Sequence, residues 1–157
     1  APPPSPQCAA TLLINRILIL CTANICRSPM AEAVFHRALG TRERAPEVRS
    51  AGIHALVGHP IAEDAQQVLQ RRGLDMSMHR AAQLTKEMLA RADLVLVMEE
   101  AQRSAVRAIG PAYAGKVIRL GHWSDSEVDD PYLRGIHAFE QTLQLIEASV
   151  ADWASRL

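Results

Sequence analysis

The chain has 157 residues, 48% of them apolar, with 17 basic against 17 acidic side chains and no net formal charge. That length supports one sizeable core, and the neutral balance argues against nucleic acid or an anionic membrane as a partner. Three cysteines are an odd and small number for a disulfide scaffold, and no apolar run reaches the roughly 18 residues of a membrane span.

Residues 1–14 open on Ala1-Pro2-Pro3-Pro4-Ser5-Pro6 and are expected to form a flexible tail, with one domain over 15–157. Arg16–Leu20 is the first predicted strand. Pro29–Leu39 is a predicted helix, with Ser28 as its N-cap and Pro29 at its first position. Met30, Ala33, Val34 and Ala38 share one face, and Gly40 lies beyond the end. Glu47–Ala51 is a short second strand. Ile61–Arg72 is a helix with Ile61, Ala65, Val68 and Leu69 inward, stopped by Gly73. Thr85 caps a short helix to Arg91, with Leu84 and Leu89 as a hydrophobic staple. Leu94–Met98 is a fully apolar, central strand. Glu99–Ile109 is helical, its leading acids Glu99 and Glu100 favoured by the helix dipole and given no catalytic role. Lys116–Leu120 is the fourth strand. Phe139, Leu143, Ile146, Val150 and Trp153 recur at helical spacing and mark a long last helix. Strands separated by helices predict parallel βαβ units with right-handed crossovers, an α/β fold.

The segment between the first strand and first helix carries the chemistry. Cys21-Thr22-Ala23-Asn24-Ile25-Cys26-Arg27-Ser28 places a cysteine at a strand end and an arginine just before a helix. A short turn there can aim main-chain N–H groups at one tetrahedral anion, and the helix start adds its own N–H groups and dipole. Such surroundings favour a thiolate over a thiol. The planar fork of Arg27 can hold two phosphate oxygens. The plainer reading is a buried cysteine ending a strand, with Arg27 on a solvated surface. Thiolate attack on a phosphate ester needs a proton donor for the leaving oxygen. Asp129-Asp130-Pro131-Tyr132 offers Asp130, in a loop stiffened by Pro131, with Tyr132 as a cleft wall. By itself that tetrapeptide is also an ordinary turn.

These residues resemble the low-molecular-weight protein tyrosine phosphatase family. The longest matching segment runs Cys21-Thr22-Ala23-Asn24-Ile25-Cys26-Arg27-Ser28-Pro29-Met30-Ala31-Glu32. Ser50-Ala51-Gly52, Met78-His79, Leu94 to Glu99 and Asp130-Pro131-Tyr132 match in order and spacing. The resemblance implies a four-stranded parallel sheet flanked by helices, with a phosphate-binding loop after the first strand. It implies Cys21 as nucleophile, Arg27 as phosphate ligand and Asp130 as general acid. Thr22, Ala23, Asn24, Ile25, Cys26 and Ser28 form the loop, and Ile25 and Tyr132 line the cleft. Ser50 and His79 join Asn24 and Ser28 in a supporting network. Tyr132 followed by Leu133, and Ser50-Ala51-Gly52-Ile53, look like the bacterial branch, whose members often act beside exopolysaccharide or capsule tyrosine kinases. A cytoplasmic monomer acting on a tyrosine-phosphorylated protein, such as a bacterial tyrosine kinase, is the expectation, with no cofactor and no metal.

Each supporting residue also has a bland reading. Asparagine is common in turns, a lone histidine is more often a surface or core residue, and most serines cap or solvate. Cys26 is close enough along the loop to pair with Cys21 under oxidation if their geometry permits, or is a small apolar filler. The six histidines show no metal-like spacing. Trp123 and Trp153 read as packing residues, Trp123 next to the acid loop. Two rival functions stand beside the phosphatase. An arsenate reductase needs resolving cysteines that are absent after Cys26, and a non-catalytic phosphotyrosine-binding module would not need nucleophile, arginine and acid together.

Overall fold

A computed structural model describes residues 14–157; the tail expected over 1–14 falls, apart from Ile14, outside the described residues. Four parallel strands form one sheet: β1 Arg16–Cys21, β2 Glu47–Gly52, β3 Leu94–Val97 and β4 Val117–Arg119, in the order β2-β1-β3-β4. Among the described residues five α-helices connect and follow them: α1 Arg27–Leu39, α2 Glu63–Gln70, α3 Lys86–Arg91, α4 Glu100–Ile109 and α5 Ile136–Ala154.

Alternation along β1 sorts the core into two layers. Ile17, Ile19 and Cys21 face a cluster with α1, α2 and α5. Leu18 and Leu20 face another with α3, α4 and alternate residues of β3. Both faces of the sheet are therefore covered, which is why β3 is apolar throughout. In α5, Phe139, Leu143, Ile146, Val150 and Trp153 are all buried as their spacing predicts. Trp153 Nε1 also donates to Leu120 O at 2.8 Å.

The strand order positions the site. From β1 the chain moves outward to β2, then crosses back to β3 and on to β4. Connections diverge at β1, and the crevice beyond its C-terminal end is where open parallel sheets hold ligands. Cys21 is the last residue of β1, in register with Gly52. A Cβ on Gly52 would lie 2.7 Å from Thr22 O, so only glycine lets the second strand run this close to the turn.

Several boundaries differ from the sequence-based expectation. The first helix starts at Arg27, with Cys26 at its N-cap and no side-chain cap. Ser28 thus sits inside the first turn rather than capping it, because its hydroxyl is used by Cys21 and Asn24 instead. Ala38 is exposed, while Phe35 and Leu39 fill the space between sheet and α5. Helix α2 starts after Ile61: Ala62 keeps an extended ψ of 141° and its N–H goes to Ile25 O at 2.8 Å. Thr85 caps α3 as expected, accepting from Met88 N.

Candidate active site

The turn after β1 is held from outside by its carbonyls. Ile53 N donates to Cys21 O at 3.0 Å, His54 N to Thr22 O at 2.9 Å, Leu56 N to Ala23 O at 3.1 Å and Ala62 N to Ile25 O at 2.8 Å. His79 Nε2 lies 2.7 Å from Asn24 O, and since a carbonyl only accepts, that nitrogen carries the proton. With the carbonyls drawn outward, the N–H groups of residues 23–26 donate to no acceptor among the described residues. They are left for whatever occupies the concave side of the turn, an arrangement suited to an anion.

Asn24 is the keystone of this arrangement. It is fully buried with φ of 62°, a left-handed conformation that asparagine tolerates better than most side chains. Nδ2 donates to Ser28 Oγ at 2.8 Å and to Ser50 Oγ at 3.0 Å, and Oδ1 accepts from Ala82 N at 2.9 Å. Every polar atom of the amide is thereby satisfied. Because Ser28 Oγ already accepts from Asn24, its own O–H is free to point at Cys21 Sγ, 2.9 Å away. Ser50 reaches Asn24 and not the sulfur. Asn24→Ala is expected to lower unfolding free energy by about 2–3 kcal/mol in urea titration, since it strands the part-buried Ala82 N–H and takes a donor from two hydroxyls. An unchanged midpoint would remove Asn24 from this role.

Arg27 is 3% exposed and enters the cleft from the first turn of α1. Its Nη1 donates to Val128 O at 2.9 Å and pairs with the Glu99 carboxylate. Nη2 is 3.9 Å from Asp130 Oδ2. Neither Nε nor Nη2 donates a hydrogen bond among the described residues, which leaves one edge of the guanidinium for two oxygens of an anion. Asp130 is half-exposed, and its Oδ1 accepts from Tyr132 N at 3.0 Å, fixing the carboxylate over the cleft mouth. Cys21, Ala23, Ile25, Cys26, Arg27, Asp130 and Tyr132 line one small cleft, and Leu56 joins them. Thr22, Asn24 and Ser28 do not line it; the last two stand behind the loop and hold its shape.

The two loop cysteines are both free. Cys26 is pushed up to about 12, first by burial, then by the negative charges of Asp130 and Cys21, with Arg27 opposing. It therefore stays a neutral thiol through the physiological range, packed in the core cluster of α1 on one side and lining the cleft on the other.

The sequence family described as low molecular weight phosphotyrosine protein phosphatase matches residues 16–157. The chain belongs to that family. A probable low molecular weight protein-tyrosine-phosphatase EpsP of Ralstonia nicotianae is 42% identical over 145 residues, spanning 92% of this chain and 97% of that protein. Among solved structures, the tyrosine phosphatase Wzb from Escherichia coli K30 in complex with sulphate superposes with a TM-score of 0.86 at 37% identity. It covers 91% of this chain and 98% of that one. Vibrio vulnificus Wzb in complex with benzylphosphonate gives 0.87 at 35% identity, over 92% and 99%. This protein is thus a low-molecular-weight protein-tyrosine phosphatase, an enzyme of the hydrolase class.

Three residues that surround this cleft or its loop carry no role in the sequence-based expectation. Glu99 is an ion-pair partner of Arg27 rather than only a helix-start acid. Leu56 is a cleft wall carried by a loop with no strong pattern. Gln102 reaches Thr22 from α4. The Glu99-x-x-Gln102 spacing of a capping box was the one available signal.

Proposed function

We propose that this phosphatase hydrolyses phosphotyrosine through a cysteinyl-phosphate, with Cys21 as nucleophile, Arg27 as phosphate ligand and Asp130 as acid and base. The observation that carries this reading is a turn whose carbonyls are bonded outward, whose 23–26 N–H groups have no acceptor among the described residues, and whose Cys21, Ala23, Ile25 and Cys26 line one cleft with Arg27 and Asp130. The thiolate of Cys21, receiving the Ser28 O–H, attacks phosphorus in line with the phenolic oxygen. The S–P bond forms as the P–O bond breaks, and Asp130 gives its proton to the departing phenolate. Loop N–H groups and the free edge of Arg27 hold the equatorial oxygens throughout. Asp130 then takes a proton from water as that water attacks phosphorus, releasing phosphate and restoring the thiolate.

Ile25, Leu56 and Tyr132 give the cleft flat apolar walls suited to an aromatic ring. Benzylphosphonate, held by the related Wzb, has the shape of such a side chain. The bacterial-branch resemblance supports a tyrosine-phosphorylated kinase of exopolysaccharide production as natural substrate, met in the cytoplasm by a monomer. No described helix is long and apolar enough to cross a membrane.

Asp130→Asn tests the proton donor. Its kcat on a phosphotyrosine peptide is expected to fall about 10²–10³-fold. The loss on p-nitrophenyl phosphate should be smaller, because nitrophenolate departs without a proton. Equal losses on both substrates would remove Asp130 from the acid role. An Asp130→Ala variant used as a trap in lysate should retain a tyrosine-phosphorylated kinase; a catch free of phosphotyrosine would count against that substrate.

A further inference from the structure

Gln102 occupies the first turn of α4 and is 7% exposed, a buried amide that the chemistry above does not use. All its reach is committed. Oε1 accepts from Met98 N at 2.9 Å and from Glu99 N at 3.2 Å, while Nε2 donates to Thr22 Oγ1 at 3.2 Å. The backbone it grips carries both partners of Arg27. Glu99 supplies the carboxylate, and Val128, whose carbonyl accepts from Nη1, donates its own N–H to Met98 O at 3.0 Å. At the other end, Thr22 is the first loop residue after Cys21.

An ordinary helix cap needs only the acceptor arm, and it works at the surface. Burying a whole amide is unfavourable unless each polar atom is bonded, and here the donor arm is bonded to the phosphate loop. We propose that Gln102 is a positioning residue for phosphate binding: its amide ties Thr22, at the head of the loop, to the Met98–Glu99 backbone from which both partners of Arg27 hang. Loop and guanidinium then hold one fixed separation, the distance a tetrahedral ligand must span. This rests on the cleft being the phosphate site.

The test is a double-mutant cycle read by the Ki of inorganic phosphate and by kcat and KM on p-nitrophenyl phosphate, with Tm recorded beside them. Thr22→Val keeps the shape and loses the acceptor, Thr22→Ser keeps the hydroxyl, and Gln102→Met keeps length without polarity. Thr22→Val and Gln102→Met are each expected to raise Ki about threefold to tenfold. The double variant should raise it no further than Gln102→Met alone, because the Thr22 contact is already gone in that variant. Thr22→Ser should stay within about twofold of wild type. If Gln102→Met does not fold, Gln102→Asn, whose amide stops one methylene short of Thr22, takes its place in the cycle. Multiplying effects, or a lowered Tm with unchanged Ki, would reduce Gln102 to a helix cap and overturn the inference. Phosphate that fails to compete on the wild-type enzyme would overturn the reading of the cleft itself.

Discussion

Cys21→Ser is expected to lower kcat on an aryl phosphate by at least about 10⁴-fold, the scale on which covalent nucleophiles act. The substitution barely changes volume, and Ser28 Oγ, 2.9 Å from the sulfur, can still bond the new hydroxyl. Fold and phosphate affinity should therefore persist while chemistry stops, because an alcohol lacks the thiolate's nucleophilicity. The measurement is steady-state turnover in EDTA, with the Ki of phosphate as control for an intact site. Wild-type turnover by the serine variant would end the covalent mechanism. The same sulfur is the one to modify. Iodoacetamide followed by peptide mapping should mark Cys21, protected by phosphate, and leave Cys26 unmodified at neutral pH. The sign follows from burial: removing water disfavours the charged thiolate, so a thiol pushed up to about 12 offers almost no thiolate until strongly alkaline pH. Phosphate-sensitive labelling of Cys26 would reverse the assignment of the two cysteines.

Arg27→Lys is expected to cost about 10³-fold in kcat/KM, at the upper end of losses for one donor to a developing charge. The charge is kept, so the loss measures geometry. An ammonium can satisfy Glu99 or Val128 O, but from one point it cannot also present two parallel N–H groups to a phosphate. The Ki of phosphate should rise alongside. A variant within tenfold of wild type would show that the guanidinium serves mainly the Glu99 pair and not the substrate.

Much of this was legible beforehand because local physics wrote it locally. The apolar run before Cys21, Ser28-Pro29 behind Arg27 and the amphipathic pattern after them predict a strand, a turn and a helix start. Alternation along β1 and the spacing of Phe139, Leu143, Ile146, Val150 and Trp153 carried the core in the same way. The first helix starts at Arg27 and not after Ser28, although Ser28 is an excellent cap by type. Its hydroxyl found a stronger use 2.9 Å from Cys21, in a contact with a residue on the far side of the turn.

What the chain settled by itself was the order of strands and helices, since that depends on neighbours within a few positions; Cys21 and Arg27 stood out locally as candidates, and Asp130 was joined to them only through the family resemblance. What needed the folded molecule was how those groups are held. Glu99 meets Arg27 across 72 positions and Gln102 meets Thr22 across 80, whereas the pairing of His79 with Asn24 across 55 was expected through the family resemblance alone. Such pairings depend on which strand lies beside which, and the sheet order β2-β1-β3-β4 is decided by packing both faces at once. No window of sequence contains that information.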